Sequence, residues 1–130
     1  MPKVTGIGGV FIKARGDHSA LAAWYQQHLG IPLAVWGGAV LRWPDDAQAD
    51  GGLTVWSTAK ADGAWFAPSE ATFMINYRVD DLHGLLANLT AAGIATLKGP
   101  ESHENGDFAW IMDPEGNKVE LWEPKAWTKG

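Results

Sequence analysis

The chain nearly repeats itself. Asp17 and Asp80 lie 63 positions apart, Gly30 and Gly93 also lie 63 apart, and each Asp-to-Gly interval carries an apolar pattern of helical period. A repeat at fixed offset restricts the fold to two copies of one supersecondary unit. Both intervals have a physical reason to start and stop as helices. A carboxylate accepts from the orphan N–H groups of the first turn, and glycine takes the left-handed conformation past the last. Helices are expected over 20–28 and 82–92. Leu21, Trp24, Tyr25 and Leu29 space one buried face, and Leu82, Leu85, Leu86 and Leu89 the other.

An apolar, β-branched run precedes each helix, at 4–13 and at 72–79. Three strand-like runs follow it, at 33–36, 39–43 and 53–57 in the first half and at 95–98, 108–112 and 118–123 in the second. They are separated by Gly37-Gly38, an acidic loop over 44–52, Gly99-Pro100 and Asp113-Pro114-Glu115-Gly116. The last tetrapeptide has Asp first, Pro second and Gly fourth, the preference of a type I turn, so it closes a hairpin. Each unit reads β-α-β-β-β. The expected class is α+β, with two tandem βαβββ modules forming a curved mixed sheet around a cavity and the helices on the outer face. One domain is expected over 1–130, with a first module over about 4–58, a second over about 72–124 and a linker over about 59–71.

Strand parity sorts residues between helix and cavity. On the run ending at Val79, Phe73, Ile75, Tyr77 and Val79 suit the helix side, which turns Met74, Asn76 and Arg78 to the cavity. Val119 and Leu121 suit the core, so Lys118, Glu120 and Trp122 face the cavity as well. Phe108, Trp110 and Met112 share one face, assigned to the cavity.

Composition then narrows the class. The 130 residues contain no cysteine, which excludes a disulfide frame and a thiolate zinc site and agrees with a reducing compartment. The opening Met-Pro-Lys leads into no signal-peptide core, and no apolar run is long enough to cross a bilayer, so a soluble cytoplasmic protein is expected. With 10 basic residues against 15 acidic and a net charge of −5, a nucleic-acid partner is not expected. Tryptophan is in surplus, with 8 residues against 2 Tyr and 4 Phe.

The segment 21–30, Leu-Ala-Ala-Trp-Tyr-Gln-Gln-His-Leu-Gly, and the closing stretch 108–124 with its Asp-Pro-Glu-Gly-Asn-Lys-Val-Glu-Leu resemble the vicinal-oxygen-chelate superfamily, the glyoxalase, bleomycin-resistance and extradiol dioxygenase group. The resemblance covers essentially the whole chain. It implies a homodimer and, in the enzymes of the family, a divalent metal held in the hollow by side chains from the first and last strand of each module. Glu120 falls where the family places a carboxylate ligand. The other three places hold Gly8-Gly9-Val10, Met74, and a choice of Thr54, Trp56 or Ser57. A thioether binds hard divalent ions poorly, and one carboxylate does not hold a catalytic metal against water.

The expected function is therefore binding of a small planar or cationic molecule, with no cofactor and without the family's metal. Met74, Asn76, Arg78, Trp110, Glu120 and Trp122 are the candidate ligand-binding residues. The bleomycin-resistance branch works by such a logic. The alternative is a metalloenzyme, a glyoxalase-like lyase or isomerase or a dioxygenase, that builds a site from Glu120 and His103, or a metal-free enzyme using Glu120 as base. Against a catalytic role, Glu120 is expected to pair with Arg78 or Lys118. A third reading fills the hollow with side chains and leaves only the surface to act. His18, His28 and His83 fall in terminal helical turns and read as surface residues, Trp24 as core and Trp127 as a tail contact.

Overall fold

The computed structural model describes residues 10–45, 51–57 and 59–126. Two helices form where the repeat expects them: α1 (His18–Leu29) and α2 (Leu82–Ala91). Asp17 caps α1 by accepting from the N–H groups of Ser19 and Ala20 at 2.9 and 3.3 Å. Gly30 closes it at φ 69°. The second cap differs from expectation by one residue: Asp81, not Asp80, accepts from Gly84 N–H at 3.0 Å. With two carboxylates side by side, sequence pattern does not choose between them. The sheet does, because Glu123 takes the Leu82 N–H at 2.8 Å and fixes where the first turn begins.

The strands are β1 (Ile75–Arg78), β2 (Lys98–His103), β3 (Gly106–Met112) and β4 (Lys118–Pro124), in one sheet of order β1-β4-β3-β2. β1 runs parallel to β4, and the other pairs are antiparallel. The expected turn closes the β3–β4 hairpin around Asp113, whose carboxylate accepts from the backbone N–H groups of Glu115 and Asn117 and from the Asn117 amide. Its other contact is to α1: the Tyr25 hydroxyl donates to Asp113 at 2.8 Å. Burial and this carboxylate push the Tyr25 pKa far above the usual phenol range. The neighbouring Tyr77 is pushed up to about 12, chiefly by burial and then by the Asp113 charge.

Leu82, Leu86 and Leu89 of α2 and Leu21 and Tyr25 of α1 pack on Ala109, Ile111, Val119 and Leu121 to form the core. The α+β class and the helix-covered outer face are as expected. Two strand limits are not. The run expected at 95–98 forms its ladder at Lys98–His103, and the Gly99-Pro100 break lies inside β2. The ladder survives there through a register shift between Lys98 and Glu101. Gly99, at φ 90°, sits so close to β3 that a Cβ would lie 2.7 Å from the Phe108 carbonyl oxygen. Local breakers lose here to a long antiparallel partner.

In the first half, the runs expected as strands at 33–36, 39–43 and 53–57 carry no ladder, so among the described residues the strands and helix of the second module are all formed, while the first shows α1 and a short 3-10 turn at Trp43–Asp45. Residues 10–13 likewise form no strand, and 4–9 lie outside the described residues. A strand needs a partner for its backbone groups, whereas a helix supplies its own. Among the described residues the first-half runs make local turns instead: Ala34 N–H bonds the Gly38 carbonyl at 2.8 Å, Gly37 N–H the Ala34 carbonyl at 2.9 Å, and Asp45 N–H the Arg42 carbonyl at 3.1 Å in the 3-10 turn over Trp43–Asp45. Trp36, Trp43 and Trp56 are consequently exposed.

Candidate functional site

The sheet face turned away from the helices is built of two cross-strand rows. In the first, Lys98, Trp110, Glu120 and Asn76 lie side by side across β2, β3, β4 and β1. In the second, Glu101, Phe108, Trp122 and Arg78 do the same. Alternation places all eight on the face opposite Ile111, Val119 and Leu121. Met112 and Lys118, paired with each other, continue it. Met74 is half-buried just before β1.

Aromatic rings dominate this face. Phe108 stacks on Trp122 with centroids 5.8 Å apart and planes 9° apart, and on Trp110 at 6.3 Å and 16°. Both indole N–H groups are satisfied, Trp110 by Glu120 at 2.9 Å and Trp122 by the Asn105 carbonyl at 3.0 Å. The second bond depends on a glycine next to Asn105, since a Cβ on Gly106 would lie 2.4 Å from the Trp122 indole nitrogen. Cations surround the rings: Arg78 lies 5.2 Å from the Trp122 centroid, and Lys98 and Lys118 lie 5.2 and 5.9 Å from that of Trp110. These are cation–π distances.

Glu120 is buried, and its two oxygens have partners. Asn76 donates to Oε1 at 2.7 Å and Trp110 to Oε2 at 2.9 Å. The expected pairing with Arg78 or Lys118 is not the one formed. Arg78 donates to the Leu53 carbonyl at 3.2 Å, and the Lys118 ammonium donates to the carbonyls of Trp65 and Ala67 at 2.7 and 3.0 Å. Backbone of the 51–71 stretch therefore lies over this face. Strand parity turns Lys118 to this face as expected, but its partners are these carbonyls and not Glu120. No sequence signal reveals the two carbonyls that bury it.

The residues do not fit a divalent metal. Glu120 is engaged by two N–H donors, Met74 supplies sulfur, and Thr54, Trp56 and Ser57 are exposed and lie outside the sheet. Gly8 and Gly9 lie outside the described residues. His103 is not brought to Glu120: it pairs with Gly106 at one end of β3 while Glu120 pairs with Trp110, four residues along, roughly 13 Å of strand rise. His103 instead meets Glu101 at 3.2 Å and packs in a T-shape with Phe108, ring centroids 5.7 Å apart. Among the described residues no three His, Asp or Glu side chains come together.

Access to the rings is uneven. Trp110 and Trp122 are 7% and 3% exposed, while Phe108 borders an open depression of ≈ 390 Å³ shared with His103, Glu104 and Asn105. Of the remaining histidines, His83 lies 3.7 Å from Asp107, and His28 packs on Trp24. Trp24 also meets Tyr25 edge-on at 5.1 Å and borders the core, and Trp127 lies outside the described residues.

A family model described as the Glyoxalase/Bleomycin resistance protein/Dioxygenase superfamily matches residues 10–121. Curated proteins yield no match. Among solved structures, TnmS3, an antibiotic-binding protein from Streptomyces sp. CB03234, is 31% identical with a TM-score of 0.39, over 42% of this chain and 45% of that one. This chain thus spans less than half of that relative. A virulence protein of Salmonella typhimurium is 15% identical with a TM-score of 0.47, over 83% and 88% of the two chains.

Proposed function

We propose that this chain, which belongs to the Glyoxalase/Bleomycin resistance protein/Dioxygenase superfamily, binds a small planar molecule on its aromatic sheet face without the family's metal. One observation carries the reading. The sheet face turned away from the helices carries a stacked Trp110–Phe108–Trp122 ladder, and its buried carboxylate, Glu120, is occupied by Asn76 and Trp110. Flat rings gain from stacking on such a platform, and its Phe108 end borders the open depression. Met74, Asn76, Arg78, Trp110, Glu120 and Trp122 remain the proposed binding residues. The surrounding cations already occupy the rings, which favours planarity over positive charge in the ligand.

The single domain over 1–130, with modules at about 4–58 and 72–124, a cytoplasmic location and a homodimer belong to the same proposal. Support for the dimer comes from Val35, Trp36, Val40, Leu41, Trp43, Val55 and Trp56, all more than half exposed and all on runs with strand character. A second copy could cover these exposed side chains and add a ladder to the runs, which form none among the described residues.

Tryptophan emission titrated with a panel of planar aromatics tests the binding. A saturable change by high micromolar ligand is expected, and a flat response contradicts the proposal. Metal analysis of the purified protein tests the rest: stoichiometric metal that disappears in Glu120→Ala would establish the metalloenzyme instead.

A further inference from the structure

Among the described residues the buried charged groups are the carboxylates Asp113 and Glu120 and one cation, Lys118. Its side chain is buried, at 8% exposure, beside the aromatic ladder. A buried charge is ordinarily paired, because removal from water costs an ammonium several kcal/mol. Here the partners are two backbone carbonyls and an indole face, and among the described residues no carboxylate comes within ion-pair distance of it. An ammonium has three donors, and the carbonyls of Trp65 and Ala67 take two.

The electrostatic setting sharpens this. Lys98 sits by the same Trp110 ring, so two like charges share one indole. Burial and then Lys98 hold the Lys118 pKa below the ordinary lysine value, and the opposing pull of Glu120 is the smallest of the three influences. Glu120 is spent on Asn76 and Trp110, and Glu101 lies 3.5 Å from Lys98 and 3.2 Å from His103. In a chain of net charge −5, this one face gathers Arg78, Lys98 and Lys118 around its rings.

We propose that the ligand of the aromatic face is an anionic aromatic, and that the Lys118 ammonium receives its carboxylate or equivalent anionic oxygen beside Trp110, with Lys98 reinforcing the charge. This rests on the binding reading above and adds the chemical class of the ligand. An anion at that place gives Lys118 a charged partner and relieves the repulsion from Lys98. A charge-assisted hydrogen bond in a site of low dielectric is among the stronger polar contacts available to a protein. A cationic ligand would meet three positive groups.

Calorimetric titration of the full chain at neutral pH with naphthoate, naphthamide and naphthylmethylammonium tests the inference, since the three share one ring system and differ in charge. Naphthoate is expected to bind at least tenfold more tightly than naphthamide, with the cation weakest. In Lys118→Met the naphthoate-to-naphthamide ratio is expected to fall to about one, and Lys118→Arg is expected to retain most of it. A lysine that merely straps residues 65–67 to the sheet would, when replaced, weaken both ligands alike and leave the ratio unchanged. That result overturns the proposal, and a melting curve confirms that the variant is folded. Equal affinity for all three probes in the parent chain overturns the anion preference while leaving planar binding in place. No binding of any probe overturns both.

Discussion

The two halves of this chain carry the same plan and realise it differently. Between 72 and 124 the helix and its flanking runs assemble into a sheet with a core at Ile111, Val119 and Leu121; between 10 and 57 the helix is as well capped, yet among the described residues the runs around it join no ladder. The difference teaches where each kind of information resides. A capped amphipathic helix closes its hydrogen bonds within its own twelve residues and needs only a surface to dock on. A strand is defined by a neighbour, and the first-half runs find none among the described residues.

Amide hydrogen exchange breaks or sharpens that contrast with the largest effect. Amides of β3 and β4 are expected to be protected by several orders of magnitude more than those of 33–36, 39–43 and 53–57 in the monomer. Protection of the first-half runs that appears only at concentrations where light scattering detects a dimer would show the second copy supplying the missing ladder.

Core truncation comes next. Leu121→Ala removes a fully buried side chain and is expected to cost about 2–5 kcal/mol in denaturant unfolding. Val35→Ala in the other half is expected to change monomer stability by less than ~0.5 kcal/mol. Comparable losses would mean that the first half is packed in solution.

A buried joint between the halves is Tyr25 on Asp113, and Tyr25→Phe is expected to cost about 1.5–3 kcal/mol by removing a buried hydrogen bond to a carboxylate. The same joint sets an alkaline limit. Both tyrosines of the chain have pKa values raised on folding, so the folded state keeps protons that the unfolded state gives up above pH ~10. Stability is complete below that pH and falls as pH rises through about 12, the Tyr77 value. Absorbance titration should show tyrosinate appearing together with unfolding, and ionisation of either residue at pH ~10 in the folded protein would contradict the assignment.

The smallest effects compare the helix caps. Asp17→Ala and Asp81→Ala are each expected to cost about 1 kcal/mol, with Asp17 the larger because it accepts from two N–H groups and Asp81 from one.

Much of this was legible in the residues. Parity places Asn76 and Arg78 opposite Ile75 and Tyr77, and Lys118, Glu120 and Trp122 opposite Val119 and Leu121, whereas the shared face of Phe108, Trp110 and Met112 is fixed by their register against β4. The Asp113 turn was legible because its chemistry is local. What escaped depends on the whole chain. Glu120 chose Asn76 and Trp110 over the two cations, a matter of register across three strands, and Lys118 acquired its partners from backbone carbonyls more than fifty residues away in sequence. Backbone acceptors carry no residue identity, so no pattern announces them.

The central claim is that planar molecules bind on the Trp110–Phe108–Trp122 face. Nitrogen–proton spectra of the indole groups test it directly, with each of the 8 tryptophans assigned by its Trp→Phe variant. Adding a planar ligand is predicted to shift the side-chain N–H signals of Trp110 and Trp122 in a saturable way while those of Trp36, Trp43 and Trp56 hold still. Shifts confined to the exposed indoles, with Trp110 and Trp122 unmoved, would contradict it.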